Sequence, residues 1–468
     1  MLASATLEDD DDEQDEDDYS TSGGSGVGGG ADQYTLQLAS TVAVNSEVFS
    51  LAFSEDGRFL LACCGDGVVR VLNPSTGATM SVLATSSRDC RIRGSSGSSS
   101  SADAALAAAT VARTNISSTK AQLPCTCAVF RPRGKVSKTS GVALIGYSNG
   151  EVQFWHVPSS KFAKKLLHRQ EIRPQQGVDE DEDQAKTRLS FTLSERSSSY
   201  ETPLGVEVLC VAFSAEGDRF AVGASDGAIR IFNDDADKAL LSEMKPGRGH
   251  GPGHSSRVFS VKFHPDDSNM LVSGGWDDCV YVWDVARGVP TRTIFGPHVC
   301  GDAIGVTERT ILTGSWREDA QLEAWNIDTG TREGPPFWSG FGSSSNNAAA
   351  MVVHGGGAAR RCRLYAATFG GPEGWEGRFV AAGGGDGANE AKVFDFQNER
   401  RLIGSLLGLS AGAISLAFGD GGAKLAVGLA DGLIHFVDIN PIPTKKKDSK
   451  QTTEASQQPQ QGGKTIMF

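Results

Sequence analysis

The sequence predicts an all-β chain of seven four-stranded units arranged in a ring, with a strand from the N-terminal end completing the last unit. Three observations carry this expectation. A short alternating apolar strand ending near Phe recurs along the chain. An acidic or Asn turn residue stands at a fixed distance before a large apolar residue. One strand without a unit, near the N-terminus, matches one strand missing at the end.

The opening strands are VFSLAF (Val48–Phe53), CTCAVF (Cys125–Phe130), VLCVAF (Val208–Phe213), VFSVKF (Val258–Phe263), LYAATF (residues 364–369) and ISLAF (residues 414–418). Their period of two is that of a strand. Each is followed by a polar turn and a small apolar strand such as RFLLACC, RFAVGAS, MLVSGG, RFVAAGG or KLAVGLA. The chain then turns tightly. Asp66, Asn149, Asp226, Asp277 and Asp431 each precede by six residues a large apolar residue: Leu72, Trp155, Phe232, Trp283 and Val437. From Asp386 to Phe394 the interval is eight residues, so that turn is longer. A further unit at residues 311–327 is marked by TGSW, which matches SGGW of the unit at residues 258–288, and it also runs two residues longer before Trp325.

A fourth strand is expected after each of the first six third strands: ATMSVLA, KFAKKLL, KALLSEM, PTRTIFG, a weak run at residues 333–338, and RRLIGSLLG. The seventh unit has none, because the chain meets Pro441 and Pro443. TLQLAS at residues 35–40 has no unit of its own, and inserting it into the last sheet removes both open edges.

Between the units lie segments that read as tails and insertions. Residues 1–33 hold eleven acids and no base, ten of those acids within residues 8–18, and read as a disordered tail. Residues 443–468, with Lys445, Lys446 and Lys447 and a Gln-rich end, read as a second one. Low-complexity insertions are expected at about 86–120, 170–203 and 331–361. The ring domain then occupies residues 34–442.

The net charge of −13 resides mostly in the acidic N-terminal run, which leaves the ring domain near −5 and without the basic footprint that gathers nucleic-acid phosphates. No nucleic-acid partner is expected. No apolar run approaches the roughly 20 residues of a bilayer crossing, so no membrane insertion is expected either. Nine cysteines without a Cys-x-x-Cys pair fit a reduced, intracellular setting, cytoplasmic or nuclear.

These residues resemble the WD40 (WD-repeat) β-propeller family, whose units end in Trp-Asp. Here that dipeptide survives as Trp283-Asp284, while His156, Asn326 and the pair Phe394-Asp395 stand at the matching places of other units. The resemblance covers about residues 34–442 and implies a seven-bladed propeller, each unit forming one blade. It further implies a buried hydrogen-bonded set made of His254, Ser273, Asp277 and Trp283. A buried Asp beside a His looks like a catalytic pair, but polar groups enclosed in a blade must find partners and this set supplies them. The set is expected to be structural.

Other candidates for chemistry are thin. His250 and His254 could reach one metal but have no third ligand nearby. GGGDG at residues 383–387 lacks the Gly-Lys-Ser/Thr that a phosphate loop requires and falls on a turn. No catalytic residue, cofactor or metal site is expected, and the chain is read as a non-enzyme. One position stands out for binding. The residue before the turn Asp is small in most units (Gly65, Ser148, Ser225, Gly385, Ala430), whereas two units carry Trp276 and Trp316, with Arg317 adjacent. The resemblance places this position on the turn-bearing face near the central channel. Two tryptophans and an arginine have the composition of an interface hot spot.

The expected function is a non-catalytic scaffold or adaptor that organises a multiprotein complex through one or more protein partners. The alternative is a substrate receptor or subunit of a ubiquitin-ligase-type complex, similar to the WD40 part of the anaphase-promoting complex. Ligase-docking relatives often carry Trp-Asp-x-Arg/Lys, and here Arg287 comes one residue late after Trp283-Asp284. Phosphoinositide-binding propellers carry a Phe/Leu-Arg-Arg-Gly motif, which Arg360-Arg361-Cys362 does not match.

Overall fold

The computed structural model describes residues 33–84, 124–133, 141–162, 199–201, 206–234, 240–246, 252–338, 349–352, 362–371 and 377–442. The acidic run, the lysine tail, most of the expected insertions, His250 and Arg360-Arg361 lie outside them. Within the described residues there is no α-helix, only a 3-10 turn at Val157–Ser159.

Strand β1 (Gln33–Ala43) precedes the first blade. Blade 1 is β2 (Val48–Phe53), β3 (Leu60–Cys64), β4 (Val68–Leu72) and β5 (Thr79–Ala84). Blade 2 comprises β6 (Cys125–Phe130), β7 (Val142–Tyr147), β8 (Glu151–His156), β9 (Lys161–Phe162) and β10 (Ser199–Glu201). Blade 3 is β11 (Val208–Phe213), β12 (Arg219–Ala224), β13 (Ile229–Asn233) and β14 (Leu240–Met244). Blade 4 is β15 (Val258–Phe263), β16 (Met270–Gly275), β17 (Cys279–Asp284) and β18 (Val289–Phe295). Blade 5 has β19 (Ile304–Val306), β20 (Thr310–Gly314) and β21 (Leu322–Asn326). After β22 (Ala349–Val352), blade 6 runs through β23 (Arg363–Gly370), β24 (Phe379–Gly385), β25 (Glu390–Asp395) and β26 (Arg401–Leu407). Blade 7 is β27 (Ala413–Gly419), β28 (Lys424–Leu429) and β29 (Leu433–Ile442).

Each innermost strand packs against the innermost strand of the next blade, from β2 through β6, β11, β15, β19, β23 and β27 and back to β2. Seven blades therefore close one ring, a β-propeller. Closure is sealed by β1, which pairs antiparallel with β29 from Gln33↔Ile442 to Ala43↔Leu433. Side chains on the third position of the inner strands tie neighbours together. Ser415 Oγ donates to Val48 O (2.7 Å), Ser50 Oγ accepts from Ala128 N (3.2 Å), and Ser260 Oγ donates to Asp302 Oδ1 (2.7 Å).

The core lies between blades, because every blade is a single sheet with apolar residues on both faces. This is why β3, LLACC, is buried along its whole length. Between blades 2 and 3 the filling is aromatic: Phe154 meets Phe220 edge-on, with centroids 5.3 Å apart, and Phe220 stacks on Phe232 at 5.0 Å.

Three outer strands differ from expectation. In blade 2 the described part of the expected KFAKKLL strand is Lys161–Phe162, its other residues lying outside the described ones, and Ser199–Glu201 also takes the outer position, pairing with Gln153, Val152 and Glu151. The last residues of the expected 170–203 insertion thus belong to the sheet. In blade 5 the run at residues 333–338 follows β21 through one bridge, Trp325↔Arg332, and two bonds, Glu333 N to Ala324 O and Phe337 N to Leu322 O. Pro335 and Pro336 have no N–H to extend the ladder. In blade 6 an unexpected fifth strand, β22, pairs parallel with Gly404 to Leu407 of β26. The inner strand of blade 5, Ile304–Val306, was also not foreseen; it is three residues long and lacks the terminal Phe.

Candidate functional site

The turn residue that marks each unit is polar and sits at the edge of a packed sheet, so each blade must satisfy it. Blade 4 does so with four side chains. His254 Nδ1 lies 2.9 and 3.0 Å from the Asp277 carboxylate oxygens, His254 Nε2 lies 2.7 Å from Ser273 Oγ, and Trp283 Nε1–H donates to the same Oγ at 2.7 Å. Ser255 N–H adds a bond to Asp277 at 2.9 Å. Burial opposes ionisation of Asp277, but the bonds from His254 and Ser255 outweigh it and hold its pKa below the ordinary value. This arrangement spends every polar atom on its neighbours, and an edge-on Tyr281 ring at 4.7 Å closes over His254. It offers a substrate no open group. Ser273→Ala leaves the buried Trp283 N–H and a His254 nitrogen without partners, so a loss of about 2 kcal/mol in urea unfolding is expected.

Other blades meet the same need differently. Asp66 is held by Arg70 (2.6 Å) and Asp226 by Arg230 (2.7 Å), each four residues on. In blade 2 Trp155 Nε1–H donates to Gln153 Oε1 (3.0 Å), and in blade 5 Trp325 Nε1–H donates to Thr313 Oγ1 (2.9 Å). Among the described residues no group of three or more His, Cys, Asp or Glu is placed to hold a metal ion.

The second feature is an aromatic ridge on the turn-bearing face of blades 4 to 6. Trp276 is 45% exposed. Its ring tilts against Phe259 (centroids 5.3 Å) and stacks on His298 (6.4 Å, 13° between planes). The Trp316 N–H donates to His298 O at 2.8 Å, and the Trp316 ring lies 4.2 Å from Tyr365. Guanidinium groups bracket the ridge, Arg257 at 5.7 Å from the Trp276 centroid and Arg363 at 5.6 Å from that of Trp316. Arg257 pairs with Glu207 (2.5 Å), and Arg363 pairs with both Glu318 (3.0 Å) and Asp386 (2.9 Å). Arg317, expected to face a partner, turns inward: its Nη2 reaches Ala320 O (3.3 Å) and the buried Glu323 (3.1 Å).

A backbone device aims Phe259 and Tyr365 outward. In six inner strands the pairing shifts across one residue near the start of the strand, for example Val258/Ser260 and Leu364/Ala366, leaving the residue between them unpaired as a bulge. Arg257 immediately precedes β15, and Arg363 is the first residue of β23. Their carbonyls lie so close to Gly275 and Gly384 that a Cβ at either glycine would collide with them. Sequence reasoning found the two tryptophans but missed Phe259, Tyr365, Arg257, Arg363 and His298. The recurrence of Arg just ahead of the alternating apolar run in blades 4 and 6 is the available signal.

A ring of seven blades, four of them four-stranded sheets, with a His-Ser-Asp-Trp set in blade 4 defines a β-propeller built from tandem repeats. Three stretches of the chain, residues 37–73, 198–233 and 248–284, match the WD40 family description "WD domain, G-beta repeat". Two of these matches begin on a strand of the adjoining sheet, β1 and β10, so the repeat is offset by one strand from the blade. The chain is similar to WD repeat-containing protein 1 of Gallus gallus, 29% identical over 25% of this chain and 17% of that protein. It is also similar to Protein tipD of Dictyostelium discoideum, 23% identical over 26% of each, and to a "Ribosome biogenesis protein WDR12 homolog" of Nematostella vectensis, 24% identical over 41% of this chain and 53% of the other. The chain thus covers only about a fifth to a half of the length of these relatives.

Proposed function

We propose that this propeller is a non-catalytic interaction scaffold that docks protein partners on the turn-bearing face of blades 4 to 6, at Trp276 and Trp316. The observation that carries this reading is the aromatic ridge, with a half-exposed indole held in place by stacking, hydrogen bonding and paired arginines. Such a preformed surface loses little side-chain entropy on binding. WD40 propellers generally bind proteins, which fits the same conclusion. Arg317 supports the ridge from behind by fixing the blade 5 turn. All eight described cysteines are free thiols, in keeping with an intracellular protein, and no described helix is long and apolar enough to cross a membrane. Nothing favours the ligase alternative: the Asp284 carboxylate is taken up by Asn269 (3.0 Å) and the Arg287 N–H (3.0 Å).

Affinity purification of the tagged chain beside a Trp276→Ala/Trp316→Ala variant tests the reading. Loss of the co-purifying proteins is expected, with melting lowered by no more than about 4 °C. A variant that unfolds, or one that retains every partner, overturns it.

A further inference from the structure

We propose that the ridge takes an extended basic segment of a partner protein, seating arginine side chains against its indole rings and the carboxylates around them. This rests on the ridge being the docking surface and names the chemistry that it selects.

Two features of the ridge point to a guanidinium ligand. The first is that the ridge already binds guanidinium groups of its own chain twice, in the same mode each time. Arg257 lies over Trp276 with Glu207 as its counter-ion, and Arg363 lies over Trp316 with Glu318 and Asp386. An aromatic face with a carboxylate at its rim attracts a cation through both the ring quadrupole and the charge.

The second is the balance of charge. The three arginines on this face, 257, 317 and 363, are each held by a carboxylate of the chain, so none is spare for an acidic ligand. The acids outnumber them. Asp278, Glu318 and Asp386 are 65%, 70% and 56% exposed at their side chains, and Asp319 is exposed beside them. Asp278 sits where the two halves of the ridge meet, its Oδ1 2.7 Å from His298 Nδ1 and its carbonyl accepting the Gly296 N–H at 2.8 Å. Phe295, 74% exposed, adjoins it. An arginine entering here would find carboxylate and aromatic surface together, whereas an acidic or phosphorylated segment would meet like charge.

The test is fluorescence anisotropy of three labelled peptides, arginine–glycine, lysine–glycine and aspartate–glycine repeats of equal length, against the full chain. The arginine peptide should bind with intrinsic tryptophan quenching, the aspartate peptide should not, and Trp276→Ala and Asp278→Asn should each weaken the arginine peptide by roughly tenfold. The full chain also carries the acidic run at residues 8–18, so arginine binding that is unchanged in both variants assigns the attraction to that run and overturns the proposal. Preference for the aspartate peptide, or no peptide binding, overturns it too. If either occurs while Trp276→Ala/Trp316→Ala still loses its co-purifying proteins, the docking face stands and only the basic ligand falls. If those proteins are retained as well, both fail.

Discussion

Asp226→Ala is expected to destabilise the propeller by about 3 kcal/mol, whereas Arg230→Met should cost about 1 kcal/mol or less. The asymmetry follows from which partner is enclosed. The Arg230 side chain is 1% exposed and is held by Asp226 (2.7 Å) and Glu243 (2.8 Å), while Lys245 reaches Asp226 from outside at 3.1 Å. Removing Asp226 leaves a buried cation with one partly exposed carboxylate. Removing Arg230 takes the buried charge away with it, and Asp226 keeps Lys245 and the Ala228 N–H (3.1 Å). Urea unfolding of both variants checks this, and equal losses would contradict it.

The same group gives a pH signature. Burial opposes ionisation of Asp226, but hydrogen bonding and charge from Arg230, with the Ala228 N–H and Lys245, carry its pKa from an ordinary 3.8 down to about 2. A depressed carboxylate stabilises the folded state above its unfolded value and loses that effect as pH falls through the folded one. The contribution is therefore complete above about pH 4 and fades toward pH 2. Asp226→Ala should flatten the stability profile across that window and leave it parallel to the parent above it.

Asp226, Asp277 and Asp66 explain why so much of the fold was legible in the sequence. Each must be satisfied at the same point of a sheet, and the strand that follows has a set length, so the six-residue spacing to Phe232, Trp283 and Leu72 is a physical requirement that the sequence records. Outer strands carry no such requirement. Ser199–Glu201 and Ala349–Val352 gain their place from partners distant in the chain, and their own composition does not distinguish them from a linker. The ridge was half legible. Trp276 and Trp316 stand out because small residues occupy their places in most blades. Phe259 and Tyr365 read as ordinary alternating strand residues, because the bulge that turns them outward is a shift in pairing register with no local sequence mark. Arg317 was misjudged for a related reason: sequence places it beside Trp316, but the buried Glu323 draws it inward.

The largest effect is expected from removing β1. A chain beginning at residue 44 should lose cooperative unfolding or associate, forfeiting most of a domain's stability of about 5 to 15 kcal/mol. A chain beginning at residue 33 should melt as the full chain does. The reason is geometric. Blade 7 has three strands of its own, and β1 supplies the fourth along ten residues of β29. Without it, β29 becomes a long unpaired edge of the kind that recruits another chain. The strand also brings Leu36 into the core with Val437 and Ile439, places Thr41 Oγ1 2.8 Å from His435 Nδ1, and leads to Val44, whose N–H donates to Gly432 O at 2.8 Å. Because β1 is held by pairing and packing, a synthetic peptide of residues 33–44 supplied in trans should restore the melting transition of the shortened chain, and a scrambled peptide should not. A shortened chain that stays monomeric and melts unchanged would show that the ring is closed by its blade-to-blade contacts alone, with β1 only covering an edge.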